Sequence, residues 1–466
     1  MANLIFIVIS LTILYIPRSR QTPQEDASSL SATTPASTLA PITNEQNQLA
    51  HAVNDLGYEL TLKLMKKNEN KNVVISPTSV AGLLAMTLLG TVGDAYNELA
   101  DVLRFSQDIL MNRKNHEQFG LLLQQLNTND SSRTIYSNAI IVDGQVQVRK
   151  VYQDYLQHVY RGETLNTNFK DPEKSTELIN EWVKNNTNGK LEQFIKQPLS
   201  TLTKAVLLSA LYFSGQWAQP FIPELTRPMV FKKPSDNVTT DFMVNTGYFN
   251  YVYNYEYGFH IIALPYNDSI TTMYALVPHS KSRAYVKDNM KELSLLQLME
   301  NLNYSKIDDV INTMNKSNCV ISFPKMELKS EFNLVECLQD MGVKSIFSAT
   351  DANFALMIKD DKTVNKTEDE LITRINSRDE ESSGLKEQLN RLPNPGVFIN
   401  KVLHNVKMAV NEFGTEAAAA SSAFISRTAN LFYADSPFYL FIRNERTKLV
   451  TFSAAIFDPT AYNEGH

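Results

Sequence analysis

The sequence predicts an α+β fold, and three observations carry that prediction. Residues 203–213 form a near-continuous apolar run, the signature of a strand buried on both faces. Residues 47–66 instead repeat their apolar side chains at helical spacing, as does the stretch holding Leu83, Leu84, Met86, Leu88 and Leu89. Finally, residues 412–437 join two strand-like stretches, 402–410 and 438–442, through a long run of small side chains. Connections of that length tend to be functional.

Composition bounds the rest. With 466 residues, 43% of them hydrophobic and only 16 glycines, the chain can build a large core. That length suggests two or three domains, yet no internal linker divides the body. A net charge of -6 gives no support for nucleic-acid binding. Two cysteines, Cys319 and Cys337, make no disulfide framework, whether they pair or stay free.

Residues 4–16 are a 13-residue apolar run, too short for a comfortable membrane span. They read as the core of a signal peptide over residues 1–20, with a signal anchor as the alternative. No basic residue precedes the run and no Ala-x-Ala site follows it, so no cut position is assigned. Residues 21–45 are rich in Ser, Thr, Pro and Ala and read as a disordered tail. Asn-x-Ser/Thr sequons at Asn129, Asn185, Asn237, Asn267, Asn303, Asn315 and Asn365 are candidate N-glycosylation sites. Together these features predict a secreted, extracellular protein with no membrane association after signal cleavage.

Along the body, residues 72–80 read as a short strand entering a helix, with Ser76 and Ser79 suited to cap it. That helix ends near Gly90 and Gly93. Strand-like segments follow at 249–253, 260–266 and 271–278, and a strand at 320–325 precedes a helix at 333–341. Residues 360–395 are dense in charge and read as a solvated insertion, with an exosite or processing site as the functional alternative. Residues 397–410 form a strand containing His404.

The 412–437 connection is unusual in composition. Ala417, Ala418, Ala419 and Ala420 favour helix, but the run is too short to hold one and has no apolar face to bury. Composition alone reads it as a flexible surface loop. Gly414-Thr415-Glu416-Ala417-Ala418-Ala419-Ala420, however, resembles the hinge of the reactive-centre loop of the serpins, the large family of serine protease inhibitors. Further blocks resemble the same family in the same order. They are Ser76-Pro77-Thr78-Ser79 with its apolar helix, Asn180-Glu181-Trp182-Val183, Leu211 through Trp217, Val320-Ile321-Ser322-Phe323-Pro324, Asp351-Ala352-Asn353-Phe354, and the two C-terminal strands. The resemblance covers about residues 46–462.

It implies the serpin fold: a large, mostly antiparallel central sheet, two further sheets, about nine helices and an exposed reactive-centre loop at 412–437. It places Ser76, Ser79, Trp217 and His404 in the region where that sheet opens, with Ser209 standing where an Asn is usual. It makes Glu412, Gly414, Thr415, Glu416 and Ala417 to Ala420 the loop hinge. It also implies a mechanism in which a protease attacks the loop, and the cleaved loop then inserts as a new central strand before the acyl-enzyme hydrolyses. The side chains suit that role. With Glu416 towards water, Thr415, Ala417, Ala419 and Ser421 face the core, and all four are small.

A strand of about a dozen residues, at roughly 1 kcal/mol per net hydrogen bond, gains on the order of 10 kcal/mol. That is comparable with the stability of a whole domain. The bond expected to be cut is Arg427–Thr428. Arg427 is the only cation between Glu412 and Pro437, and it suits a trypsin-like pocket. The family's usual count from the hinge ends one residue later, at Thr428. The expected partner is therefore a trypsin-like serine protease held in a covalent complex by a monomeric inhibitor. A non-inhibitory carrier or binding protein is the alternative. No cofactor or metal is implied. No Gly-x-Ser-x-Gly, His-Glu-x-x-His, phosphate-loop or Cys-x-x-Cys motif argues for an enzyme. Arg113 and Lys114 are too few for a glycosaminoglycan site.

Overall fold

Helix α1 (Asn44–Lys67) opens with a capping box in which Thr43 and Gln46 exchange hydrogen bonds. The computed structural model describes residues 42–127, 132–280, 292–359, 388–389, 391–414 and 429–461. The expected signal peptide, nearly all of the 21–45 tail and most of the 360–395 insertion lie outside them. Strand β1 (Val73–Ile75) runs into α2 (Pro77–Leu88), capped by Ser76 with a proline in its first turn. Every residue of α2 is buried, as an all-round apolar helix requires. Helices α3 (Asp94–Leu103), α4 (Asn112–Gln124), α5 (Lys150–Tyr160) and α6 (Pro172–Asn186) alternate with strands β2 (Ser132–Asp143) and β3 (Glu163–Thr167).

The buried apolar run becomes β4 (Ala205–Gly215). After it come β5 (Ile222–Lys232), β6 (Asn237–Asn254), β7 (Phe259–Pro265), β8 (Thr271–Pro278), α7 (Leu295–Asn301), α8 (Tyr304–Asn312) and β9 (Asn315–Pro324). Strand β10 (Met326–Asn333) fills the stretch between the expected strand at 320–325 and the expected helix at 333–341, where the sequence assigned no element, and is followed by α9 (Val335–Asp340). Its alternation Met-Glu-Leu-Lys-Ser-Glu-Phe, buried at every second position to Ser330, was the available signal. The chain closes with β11 (Ile399–Val410), β12 (Asn430–Tyr433), β13 (Phe438–Asn444) and β14 (Val450–Ile456).

A five-stranded sheet runs β10–β11–β4–β2–β3. Its pairing is mixed. β10–β11 and β2–β4 are antiparallel, whereas β11–β4 and β2–β3 are parallel. The other nine strands form one hydrogen-bonded network, because the 18-residue β6 serves two groups. Its residues 237–244 pair with β5, 242–251 with β9 and 251–254 with β7. The main core packs α1–α5 and α7–α9 against the sheets, a second joins side chains of both sheets around Phe213, Trp217, Phe323 and Met408, and a smaller one lies under α6. Cys319 and Cys337 are both buried and free. The end of the charged insertion is not wholly solvated, since Leu389 and Leu392 are buried with Val92, Ala355 and Leu356.

Candidate functional site

Strands β11 and β4 lie side by side and parallel, with Val402 opposite Leu207, His404 opposite Ser209 and Met408 opposite Phe213. Both finish at the same edge of the sheet, β4 at Gly215 and β11 at Val410. A chain that leaves β11 there and turns back would run antiparallel to both strands. It can therefore hydrogen-bond to each if the seam between them opens.

Under the seam lies a polar network in an otherwise apolar core. The Ser76 backbone N–H donates to His404 Nε2 at 2.9 Å, so Nε2 is an acceptor and Nδ1 carries the proton. Nδ1–H then donates to Ser209 Oγ at 3.0 Å. Ser79 Oγ donates to Asn138 Oδ1 at 3.0 Å and sits 2.7 Å from Ser209 Oγ, so Ser209 donates to Ser79. Asn138 Nδ2 returns to the Ser79 carbonyl at 2.9 Å, and Ser76 Oγ caps α2 at the Ser79 N–H. The serine at 209 thus completes the chain without the usual Asn. Burial holds the His404 pKa down at about 3, although hydrogen bonding to the Ser209 backbone pulls the other way. The N-terminus of α2 beside Nε2 also disfavours a proton there.

A second cluster forms where the chain leaves β11. Gly414 bridges both Asn411 and Gln216 at φ +122°. A Cβ there would lie 2.1 Å from the Gly215 carbonyl oxygen and 2.6 Å from Gln216 Cα, so only glycine fits. Trp217 N donates to the Phe413 carbonyl at 3.1 Å and its indole Nε1 to the Asn411 carbonyl at 3.0 Å. Phe221 N donates to the Glu412 carbonyl at 2.8 Å. Trp217 stacks on Tyr266 with ring centroids 4.5 Å apart. The Glu412 carboxylate meets Lys325 Nζ at 3.1 Å and Thr226 Oγ1 at 3.0 Å. Burial pushes that carboxyl up, but its own backbone N–H, Lys325 and Thr226 win and hold it below the usual carboxylate range.

A depressed carboxyl stabilises above its unfolded pKa, and that contribution is lost as pH falls through the folded value. Lys325→Ala is accordingly expected to cost about 1 kcal/mol or less, because Lys325 is half-exposed and screened. Urea unfolding of wild type and variant at pH 7 and pH 4 checks this, since the difference must shrink at pH 4.

The structure thus joins Ser76, Ser79, Ser209 and His404 in one network, and Trp217, Glu412 and Gly414 in another. Thr415, Glu416, Ala417, Ala418, Ala419, Ala420, Arg427 and Thr428 lie outside the described residues. Sequence reading missed Asn138, whose signal was an amide among apolar neighbours in a strand. It also missed Thr226, Lys325 and Tyr266, for which no local pattern exists.

A profile of the family Serpin (serine protease inhibitor) matches residues 51–459. Serine protease inhibitor 28Dc of Drosophila melanogaster is 29% identical over 455 residues, covering 89% of this chain and 79% of that protein. Human antithrombin-III is 26% identical over 407 residues, covering 84% and 78%. Human thyroxine-binding globulin, solved with thyroxine, superposes with a TM-score of 0.74 at 18% identity, covering 90% of this chain and all of that one. With the family profile spanning nearly the whole described body, this chain belongs to the serpin family.

Proposed function

We propose that this protein is a secreted suicide-substrate inhibitor of trypsin-like serine proteases. The observation that carries the reading is the parallel β11–β4 seam, with the chain leaving β11 at Gly414 directly over the end of β4. A strand placed there by the following small residues would be antiparallel to both neighbours and fully hydrogen-bonded. From Glu412 to Arg427 is about 16 residues, a reach of roughly 50 Å at about 3.3 Å per residue. Insertion therefore carries an acyl-linked protease along the length of the sheet and deforms its active site before water can attack the ester. Arg427 is the residue proposed to enter the protease pocket.

The test mixes the protein with trypsin-, clotting-, elastase- and chymotrypsin-type proteases. The expected result is an SDS-resistant complex with the trypsin-like enzymes and a released peptide beginning at Thr428. A complex with a different peptide moves the bond. Clean cleavage without complex across the panel favours the carrier reading, the role that the name thyroxine-binding globulin describes.

Secretion is supported by the sequons. Asn185, Asn237, Asn267, Asn303 and Asn315 are all exposed, whereas Asn129 and Asn365 lie outside the described residues. Asn303 caps α8 through Oδ1, which leaves Nδ2 free to carry a glycan. Glycopeptide mass spectrometry of the protein made in a secreting host is expected to find sugar among these five, and a wholly unmodified set refutes it.

A further inference from the structure

The β11–β4 seam is bridged on its outer face by a segment that touches both strands. After α6 the chain turns back through residues 187–200. Phe194 and Ile195 are buried there with Leu208 and Ala210 of β4, and Leu403 of β11 packs against the same cluster. The turn is tied to α6 by Asn180, whose Oδ1 accepts from the N–H groups of Phe194 and Ile195 at 2.9 and 2.8 Å. Its Nδ2 donates to the Ile195 carbonyl at 3.0 Å. On the other side, Asn405 of β11 donates from Nδ2 to the Phe194 carbonyl at 2.9 Å. Asn405 is 5% exposed and lies opposite Ala210 in the register, so the bond crosses directly over the seam. Lys196 makes a looser tie to Glu331 of β10 at 3.5 Å.

We propose that Asn405 is a latch that sets how fast the sheet accepts its loop, a role that rests on the insertion reading above. Adding a strand between β4 and β11 moves them apart by one strand spacing, about 4.8 Å. The apolar side of the 187–200 segment stays with β4 while the Phe194 carbonyl is held by β11, so the Asn405 bond breaks as the seam opens. A bond present before insertion and absent during it raises the barrier and leaves the inserted state untouched. Loss of one such buried bond is expected to speed opening about fivefold.

The test uses a synthetic peptide with the sequence of residues 412–427, added to the full, uncleaved protein without protease. Peptide uptake is followed by Trp217 fluorescence in a Trp182→Phe background, which leaves a single tryptophan. Asn405→Ala is expected to take up peptide about fivefold faster than wild type. It should also convert a larger share of protease encounters into covalent complex. If the alanine variant fails to fold, Asn405→Val, which suits a strand, carries the same expectation. Asn54→Ala is the control for plain loss of stability. Its amide ties α1 to Lys448 and Val450, far from the seam in the register, and its uptake rate is expected to match wild type. Wild-type uptake with no acceleration in either Asn405 variant overturns the latch alone, as does equal acceleration in Asn54→Ala. A wild type that neither takes up peptide nor forms complex overturns the insertion reading and the latch with it.

Discussion

Gly414→Val is expected to weaken the uncleaved protein by about 3 kcal/mol or more and to release the hinge from the end of β4. Two costs combine. At φ +122° a branched side chain is strained by about 1–3 kcal/mol, whatever space surrounds it. Space is also missing, because the new Cβ would overlap the Gly215 carbonyl oxygen and Gln216 Cα. Both contacts are backbone atoms, so no side chain can swing away to relieve them. The Trp217–Phe413, Trp217–Asn411 and Phe221–Glu412 hydrogen bonds all converge on this turn and would stretch together. The readout is the urea midpoint of the uncleaved protein at unchanged m-value, with Trp217 fluorescence as the local probe. Gly414→Ala should move both in the same direction by less. A midpoint and spectrum identical to wild type in the valine variant would show that the hinge is not held where this geometry puts it.

Much of the fold was legible because its signals are local. The near-continuous apolar run of β4 and the largely apolar, fully buried α2 announced themselves, since burial on every side leaves little polar phase to confuse. β10 was missed because one alternating strand beside a helix-like segment gives a weak signal. The parallel pairing of β11 with β4 was not legible from pattern at all. It joins residues almost two hundred positions apart, and nothing in either strand's composition states its direction. The site divides the same way. Gly414, Trp217 and His404 carry recognisable neighbours, so sequence could place them. The Lys325–Glu412 pair and the Asn405–Phe194 bond exist only once the sheet is built, because each joins groups brought together by topology alone.

His404 gives the second large effect, and its sign is fixed by burial. Its folded pKa, about 3, lies well below the ordinary histidine value of 6.5, so the native state keeps the ring neutral while an unfolded chain protonates it. Between those two values the unfolded state binds one more proton than the native state, and stability therefore falls as pH falls from 6.5 towards 3. The slope approaches about 1.4 kcal/mol per pH unit for each such group. His116, also driven to about 3 by burial in α4, adds an equal share. The carboxylates held low, Glu412, Glu445 and Asp458, release their contributions only below their ordinary range. The loss between pH 6.5 and 5 therefore belongs to the histidines.

His404→Gln separates the two. Gln can accept from Ser76 N but does not titrate, so the variant is expected to lose about 1–3 kcal/mol at pH 8 through disturbed packing and hydrogen bonding. Its stability should then fall between pH 6.5 and 5 with a smaller slope than wild type, by up to about 1.4 kcal/mol per pH unit, His116 still contributing. Urea unfolding at half-unit pH steps measures both quantities. A slope unchanged by the substitution would mean that His404 is already protonated in the folded protein. Nε2 would then carry a proton too and could not accept from the Ser76 N–H, so that contact would have to break, while the donor order from Nδ1 through Ser209 and Ser79 to Asn138 would stand.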